Sequence, residues 1–329
     1  MWSSSESRCR LGRCNIPSLI ACIAWPMALF RGAVDGLSCS PTIRQPRRTP
    51  QPELPLSWSN PQGEVLTAIG DDIWLAERPF YPRLPGLTTT DVGGKMAVVR
   101  LPGDEGALWV HSPVELTPEL KVALAALGHV KHIVTPNTEH QKYAPAWILA
   151  YPEAESYACP GLRESNPSGG WQKTIGCDAS GRWTGDAPPS WGGAIDVCWM
   201  DSERGPFMGG KQFFSEVVFH HRPSRTLLVT DLWWNYPSSS SATLSGRAGN
   251  GRGQDDEATE VPTSTRLWKF GMDAIYRPFY NSFMQGDRSA FDARLDTILG
   301  WDWDRMVSCH GEPIAGPNAK RALARHLGR

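Results

Sequence analysis

The chain has almost no net charge. Its 329 residues contain 33 lysines and arginines against 34 aspartates and glutamates, which gives a formal net charge of −1 at pH 7. Proteins that bind nucleic acid usually carry a strong basic excess on the binding domain. The composition therefore predicts no nucleic-acid partner, while the length is sufficient to bury a large core.

Paired cysteines are also missing. Four of the eight cysteines lie in the first 50 residues, and the other four, Cys159, Cys177, Cys198 and Cys309, are widely spaced with no Cys-x-x-Cys pair. Zinc ribbons and disulfide frameworks depend on closely or regularly spaced cysteines. The spacing excludes a zinc ribbon and gives no support to a disulfide scaffold.

Long apolar runs are absent as well. The most apolar stretch covers residues 16–30 and is interrupted by Pro17 and Pro26. A helix that crosses a bilayer needs about 20 apolar residues, so this stretch predicts no stable membrane span in the mature chain. It is more typical of the core of a signal peptide.

The first 50 residues lack lysine and nearly lack acids. They contain seven arginines but only Glu6 and Asp35 on the acidic side, together with a run of serines at residues 3–5. An arginine- and serine-rich, acid-poor leader is typical of organelle targeting. We predict a disordered leader over residues 1–50 that directs the protein to a plastid, with a mitochondrion as the alternative; a bipartite leader of the kind used by complex plastids also fits.

Residues 51–329 alternate strand-like and helix-like patterns and predict a single α/β domain. Four short strands are followed by a helix that begins after Thr117 with Pro118 at its first position, and then by a strand at 130–134 and a helix predicted over 139–151. A Ser/Gly/Asp/Glu-rich segment at about 237–266 is predicted to be a disordered insertion. Strands and helices in two successive sets around one core predict a four-layer αββα sandwich.

Three polar residues follow predicted strands and form the candidate site. His140 follows the strand at 130–134, Asp231 ends the strand at 226–231, and His310 ends the strand near 306–309. Two imidazoles and a carboxylate are three zinc-type ligands, and catalytic metal sites keep three protein ligands plus water. We therefore consider His140, Asp231 and His310 as catalytic residues and ligands of one zinc, iron or manganese ion. The alternative is structural: Asp231 caps a turn and the His310 ring bonds a carbonyl.

Neighbouring residues suggest a second, metal-free hypothesis. Asn137, Glu139 and Gln141 surround His140 at the start of the predicted helix, where polar side chains and free N–H groups can hold a polar or anionic ligand. The competing interpretation is a helix cap by Asn137 or Thr138. The Thr88 to Lys95 segment has hydroxyls, two glycines and a lysine, but it lacks the spacing of a phosphate-binding loop.

Several longer motifs resemble one protein family. They are Glu77-Arg78-Pro79-Phe80, Thr90-Asp91-Val92-Gly93-Gly94-Lys95-Met96, Leu108-Trp109-Val110-His111-Ser112-Pro113, Pro136-Asn137-Thr138-Glu139-His140 and Trp301-Asp302-Trp303-Asp304-Arg305. The chain resembles the domain of unknown function 4336 family, a plastid and bacterial group with a metallo-β-lactamase-like fold. The resemblance spans about residues 65–327 apart from the predicted insertion.

The resemblance also implies that the metal motif is degenerate. Where metallo-β-lactamases carry Thr-His-x-His-x-Asp-His, the two leading histidines fall on Pro136 and Thr138, the aspartate on His140 and the last histidine on Gln141. The next histidine falls near Lys211 or Gln212. Only Asp231 and His310 match the bridging acid and the final histidine of the fold.

Two classes of function follow from these observations. The degenerate motif favours a non-catalytic domain that binds an unknown small molecule or protein and needs no cofactor. The alternative is a divergent mononuclear hydrolase of an ester or thioester, with the metal held by His140, Asp231 and His310.

Overall fold

The structure is a computed structural model that describes residues 57–82, 88–103, 106–205, 209–237, 241–242 and 259–329. The predicted leader and most of the predicted insertion lie outside these ranges. Within the described residues, no helix combines the length and the apolar character needed to cross a bilayer.

The first sheet has seven strands in sequence order. They are β1 (Thr67–Gly70), β2 (Ile73–Arg78), β3 (Gly94–Arg100), β4 (Ala107–His111), β5 (His129–Thr135), β6 (Glu155–Ala158) and β7 (Lys173–Thr174). The first four strands form antiparallel pairs, whereas β4 to β7 run parallel. The carboxyl ends of β4 and β5 therefore lie at the same edge of the sheet, together with the start of β3.

The second sheet has five strands in the order β14-β13-β10-β9-β8. Their bounds are β8 (Ile195–Trp199), β9 (Val217–His221), β10 (Thr226–Val229), β13 (Arg305–Ser308) and β14 (Ile314–Ala315). Strands β10 and β13 are parallel, with Val229 opposite Ser308, so the segments that follow these two strands leave the same edge. A separate pair joins β11 (Ser241–Ala242) to β12 (Thr259–Glu260).

Seven α-helices connect or flank the strands in the described residues. They are α1 (Pro118–Leu127), α2 (Ala144–Ala150), α3 (Leu162–Ser165), α4 (Thr263–Gly271), α5 (Arg277–Phe279), α6 (Arg288–Gly300) and α7 (Ala319–His326). Two π-helical segments, Met272–Tyr276 and Tyr280–Met284, join α4, α5 and the turn before α6 into one long helical stretch.

Three apolar clusters establish the layers. One lies between the sheets and contains residues from both, among them Trp109, Val134 and Phe219. A second packs α1 and α2 against the outer face of the first sheet, and a third packs α6 and α7 against the outer face of the second. Because each sheet is covered on both faces, the predicted four-layer αββα sandwich is confirmed.

Helix α1 begins and ends where its sequence predicts. The hydroxyl of Thr117 accepts a hydrogen bond from the Leu120 N–H, Pro118 occupies the first turn, and Gly128 closes the helix. A serine or threonine at this position satisfies an N–H that has no partner inside the helix. Leu120 and Leu124 are buried against the sheet, as their helical spacing requires.

Helix α2 differs from the prediction. It begins at Ala144 and not at residue 139, because the segment before it forms turns. The side-chain oxygen of Asn137 accepts hydrogen bonds from the N–H groups of Glu139 and His140, which fixes a local turn instead of a helical one. His140 therefore lies in a loop between β5 and α2.

The predicted insertion contains regular structure at its end. Strand β12 and the start of α4 at Thr263 both precede residue 266. Pro262 ends the extended segment and Thr265 is buried, with its hydroxyl bonded to the Asp91 carbonyl. The polar composition of 237–266 did not indicate this contact, because the partner is remote in sequence.

Candidate functional site

The site lies where four segments meet at one end of the sandwich. Ser112 follows β4, His140 lies in the loop after β5, Asp231 lies just beyond β10, and His310 lies just beyond β13. Ligand sites in α/β proteins commonly form at the carboxyl ends of parallel strands. Both sheets contribute, so the site spans the seam between them.

His140, Asp231 and His310, which we call the triad, are brought together as predicted. The Nε2 atom of His140 lies 3.3 Å from Asp231 Oδ2, and Nε2 of His310 lies 3.5 Å from Oδ1. The three side chains offer ligand atoms within 4.8 Å of one another. Their side chains are 12–17% exposed, so the cluster is recessed yet open to solvent.

Two distances in the triad, each to a different oxygen of Asp231, are compatible with ligands of one metal ion. With bonds of about 2.0–2.2 Å, two ligand atoms on a zinc tetrahedron lie roughly 3.3–3.6 Å apart. The two Nε2 to carboxylate distances fall in this range. Two imidazoles and one carboxylate are also the donor set that zinc, iron and manganese accept in proteins.

The ring of His310 is held by a backbone carbonyl. Its Nδ1 lies 2.8 Å from the oxygen of Gly93, and because a carbonyl can only accept, Nδ1 must carry the proton. Nε2 then faces Asp231 with its lone pair available when the ring is neutral. Histidine ligands of metals commonly donate their other N–H to a carbonyl or carboxylate in this way.

The ring of His140 is held by a hydroxyl. Its Nδ1 lies 2.7 Å from Ser112 Oγ, and its Nε2 faces the other oxygen of Asp231. Ser112 adopts a left-handed backbone conformation with φ of 54°, which is uncommon for a residue with a side chain. Strained backbone of this kind is concentrated at functional sites, and here it places the hydroxyl against His140.

His140 and Asp231 shift each other's pKa. Burial alone would lower the pKa of His140, but Asp231 outweighs it and holds the pKa well above the ordinary histidine value. Burial would likewise raise the pKa of Asp231, yet His140 and then His310 hold it well below the usual range. His140 and Asp231 therefore form an imidazolium–carboxylate pair near neutral pH.

Asn137 connects the loop after β5 to Asp231. Its side-chain N–H₂ donates to Asp231 Oδ2 at 2.7 Å and to Thr230 Oγ1 at 2.9 Å. The side-chain oxygen of Asn137 accepts the N–H groups of Glu139 and His140, so Asn137 also holds the loop that carries His140. Asn137 is fully buried, so it acts as a bridge between sheets and does not face an exposed ligand.

Two buried carboxylates lie behind Asp231. Glu216 accepts hydrogen bonds from the backbone N–H groups of Thr230, Asp231 and Leu232 at 2.7, 2.8 and 3.0 Å. Glu203 accepts from the N–H groups of the two residues before Glu216. Burial raises the pKa of Glu216, and it raises that of Glu203 to about 8. Glu216 thus fixes the segment that carries Asp231, and Glu203 fixes the residues that precede Glu216.

Glu139 and Gln141 have different surroundings. Glu139 is exposed overall, but protein atoms surround its carboxyl group. Burial of this group and the charge of Asp231 raise the pKa of Glu139, whereas His140 lowers it. Gln141 bonds the Thr138 carbonyl and the Asn166 side chain. Glu139 therefore lies in the field of the triad, and Gln141 is directed elsewhere.

A separate cavity of about 260 Å³ lies next to Asn166. It is lined by Arg163, Glu164, Asn166, Pro167 and Trp171. None of the triad residues lines this cavity, so it does not form part of the site.

The positions where the fold's other metal ligands would fall carry no ligand. Pro136 is buried, and the Thr138 hydroxyl donates to the carbonyls of Phe213 and Phe214. The Gln212 side chain donates to the Asp201 carbonyl. Thr138 and Gln212 thus hold backbone, and among the described residues the triad is the group whose side chains could hold a metal ion.

Sequence reasoning missed Ser112, Glu203 and Glu216. Ser112 belongs to the Leu108–Pro113 motif, and its position just after a buried strand was a usable signal. Glu216 precedes β9 in a run of apolar residues, where a carboxylate is costly unless it is hydrogen-bonded. Its bonding partners come from the segment that follows β10, which the sequence pattern could not indicate.

Solved structures similar to this chain are metallo-β-lactamases. The enzyme FIM-1 from Pseudomonas aeruginosa, in its mono-zinc form, is 11% identical, covers 80% of this chain and 93% of its own, and has a TM-score of 0.47. A metallo-β-lactamase from Pontibacter korlensis is 14% identical with coverages of 80% and 96% and the same TM-score. One from Erythrobacter litoralis is 15% identical with coverages of 80% and 93% and a TM-score of 0.46.

A family model gives the assignment. No curated protein matches the chain. The model described as "Domain of unknown function (DUF4336)" matches residues 71–268, which include His140 and Asp231, while His310 lies beyond the matched range. The match covers more than half of the chain, so the chain belongs to the DUF4336 family.

Proposed function

We propose that the domain binds one divalent transition-metal ion through His140, Asp231 and His310 and uses it to hydrolyse an ester or thioester. The observation that carries the proposal is the orientation of the two imidazoles. Each has its Nδ1 occupied by a protein group and its Nε2 directed at Asp231. When both rings are neutral and protonated on Nδ1, this arrangement places two nitrogen lone pairs and a carboxylate around one point.

Each residue near this point has a distinct role. When bound, the metal supplies Lewis-acid polarisation of a carbonyl and activation of water. The triad is then occupied by metal binding, so proton transfer falls to another group. We assign this role to Glu139, which is adjacent to His140 in the same loop and whose pKa is raised by burial of its carboxyl group and by Asp231. Asn137 and Ser112 orient Asp231 and His140.

Metal content tests the first half of the proposal. Protein purified without chelator is analysed for zinc, iron and manganese, beside His310→Ala and His129→Ala. His129 is exposed and lies at the opposite end of β5 from the site, so it controls for loss of a histidine. We expect about one equivalent of metal in the wild type and the control, and none in His310→Ala.

Hydrolysis tests the second half. The metal-loaded protein is assayed with p-nitrophenyl esters and with acyl thioesters of coenzyme A. The variant Glu139→Gln should keep its metal and lose about 100-fold or more in kcat, as expected for removal of a general base. Bound metal with no turnover in this screen would remove support for the ester and thioester substrates while leaving the metal site in place.

A non-catalytic binding domain is the second candidate. It is favoured because protein groups alone supply the hydrogen-bond and ionic partners of Asp231. Two imidazoles and the Asn137 amide contact its carboxylate, and Glu216 accepts its backbone N–H. If the wild type holds no metal, this network is the functional state. Binding should then be sought with small carboxylates and with protein extracts, using Glu139→Ala and His140→Ala as controls.

The cellular location is a separate proposal. The arginine-rich, acid-poor composition of residues 1–50 supports import into a plastid. A fluorescent protein fused after residue 50 should be found in plastids, and the same fusion without residues 1–50 should not. Mitochondrial fluorescence would establish the alternative.

A further inference from the structure

The Asp91-Val92-Gly93-Gly94-Lys95 motif has no role in the proposed function so far. It lies just before β3 and enters its first residues. Its sequence lacks the spacing of a phosphate-binding loop, and all five residues except Gly94 are buried. A buried loop with a lysine at its end requires another explanation.

The motif supports the ring of His310. The carbonyl of Gly93 accepts the Nδ1–H of His310 at 2.8 Å. Asp91 holds the backbone of Gly93 in place, because its Oδ1 accepts the N–H of Gly93 at 2.8 Å and that of Phe80 at 3.0 Å. Gly93 has a φ of 63°, a conformation that favours glycine.

The motif also holds the backbone on both sides of His310. The Lys95 N–H donates to the carbonyl of Cys309 at 3.0 Å, and the Lys95 side chain donates to the carbonyl of Gly311. Lys95 and its ionic partner Glu77 lie 4.0 Å apart and are only 3% and 6% exposed. A buried ammonium is costly unless it is paired and hydrogen-bonded, so these contacts restrict where the turn can lie.

The turn itself has little freedom to move. Gly311 has a φ of 84°, and a Cβ atom at this position would lie 2.2 Å from the backbone of Asn235. The Asn235 N–H donates to the His310 carbonyl, and the Glu312 N–H donates to the Asn235 carbonyl. The turn at His310 is thus fixed by Asn235, which follows β10, and by the Asp91–Lys95 motif at the start of β3.

We propose that Asp91 and Lys95 are positioning residues that orient His310 for metal binding. The inference rests on the proposed metal site. Asp91 holds Gly93, whose carbonyl fixes the tautomer and direction of the His310 ring, and Lys95 fixes the turn that carries His310. Partners of this kind around metal-ligating histidines typically contribute about 10–100-fold to metal affinity.

A double-mutant cycle on Asp91 tests the inference. Zinc affinity is measured by competition with a chelator for the wild type, Asp91→Ala and Asp91→Asn, and the weak residual affinity of His310→Ala and of Asp91→Ala/His310→Ala is measured by direct titration at high zinc concentration. Asparagine keeps the Oδ1 acceptor, whereas alanine removes it. We expect Asp91→Ala to lose about 10–100-fold in affinity, Asp91→Asn to stay within about threefold, and Asp91→Ala to have no further effect once His310 is absent. An equal loss with and without His310 would overturn the inference.

Imidazole NMR of the metal-free protein separates this inference from the proposed function. At a pH at which the ring is neutral, His310 should carry its proton on Nδ1 in the wild type and in Asp91→Asn. In Asp91→Ala, long-range ¹H–¹⁵N spectra should show a shift toward the Nε2–H tautomer. A wild type that binds no zinc but shows this dependence would refute the metal site and retain the positioning role. An unchanged tautomer in folded Asp91→Ala would refute the positioning role.

Discussion

The two sheets contribute to the site in different ways. The first sheet supplies neutral groups, namely the Ser112 hydroxyl, the Gly93 carbonyl and the Asn137 amide, together with the single ligand candidate His140. The second sheet supplies Asp231 and His310, and it fixes Asp231 with the buried carboxylates Glu203 and Glu216.

This difference bears on the proposed metal site. In the loop after β5, Asn137 holds Asp231 and the Thr138 hydroxyl holds backbone. In the second sheet, Asp231 and His310 are each held by their own set of hydrogen bonds. In the proposed site, one imidazole from the first sheet completes the three ligands.

The largest expected effect is on the second sheet. Glu216→Ala removes the acceptor of three buried backbone N–H groups and leaves a cavity. Each unpaired buried donor costs about 1–3 kcal/mol, so we expect the free energy of unfolding of the metal-free protein to fall by about 3–5 kcal/mol. Urea unfolding measures it.

The control for this variant is Glu153→Ala. Glu153 is exposed in the turn before β6, and removal of a solvated carboxylate should change stability by less than about 0.5 kcal/mol. Equal effects of the two variants would contradict the structural role assigned to Glu216.

A smaller effect concerns pH. Burial raises the pKa of Glu203 to about 8, whereas an unfolded glutamate titrates near 4.3. Between these values the folded state holds a proton that the unfolded state has lost, so stability falls as pH rises through this window and levels off above it. Glu203→Gln mimics the protonated form and should remove this loss.

Unfolding curves at several pH values measure the effect. The variant and the wild type should have similar stability near pH 5, and the variant should be more stable by about 2–4 kcal/mol above pH 8, at about 1.4 kcal/mol per pH unit of pKa difference. The exposed-site variant Glu153→Gln should follow the wild type throughout. A Glu203→Gln curve parallel to the wild type would show that Glu203 is ionised in the folded protein.

The smallest expected effect is that of Gln141→Ala on zinc affinity, which is compared with that of His140→Ala in the same loop. Gln141 is directed at Asn166 and the Thr138 carbonyl, so Gln141→Ala should change zinc affinity by less than about threefold. His140→Ala should abolish high-affinity binding, because it removes one of three ligands. Comparable losses in both variants would mean that Gln141 reaches the metal after all.

The layered fold could be predicted from sequence because its signals are local. Apolar periodicity gave the strands, and Thr117, Pro118 and Gly128 gave both ends of α1. The start of α2 was wrong because the Asn137 side chain stabilises a turn over Glu139 and His140. A side chain that bonds the backbone two or three residues ahead competes with helix formation.

The triad could be predicted because each member follows a strand. Their mutual distances required the structure, since Asp231 and His310 meet His140 across the seam between sheets. The supporting residues were not predictable in the same way. Glu216 is recognised only when β9 and β10 are paired, and the Asp91–Lys95 motif only when β3 meets the turn after β13.

Imidazole NMR during a zinc titration tests the central claim most directly. Metal-free protein is titrated with Zn²⁺ while long-range ¹H–¹⁵N spectra report each histidine, with His310→Ala and His129→Ala used to assign the signals. We predict that His140 and His310 bind through Nε2 and that the titration ends at one equivalent. Spectra in which both rings remain unchanged, or in which only exposed histidines respond, would contradict the metal site.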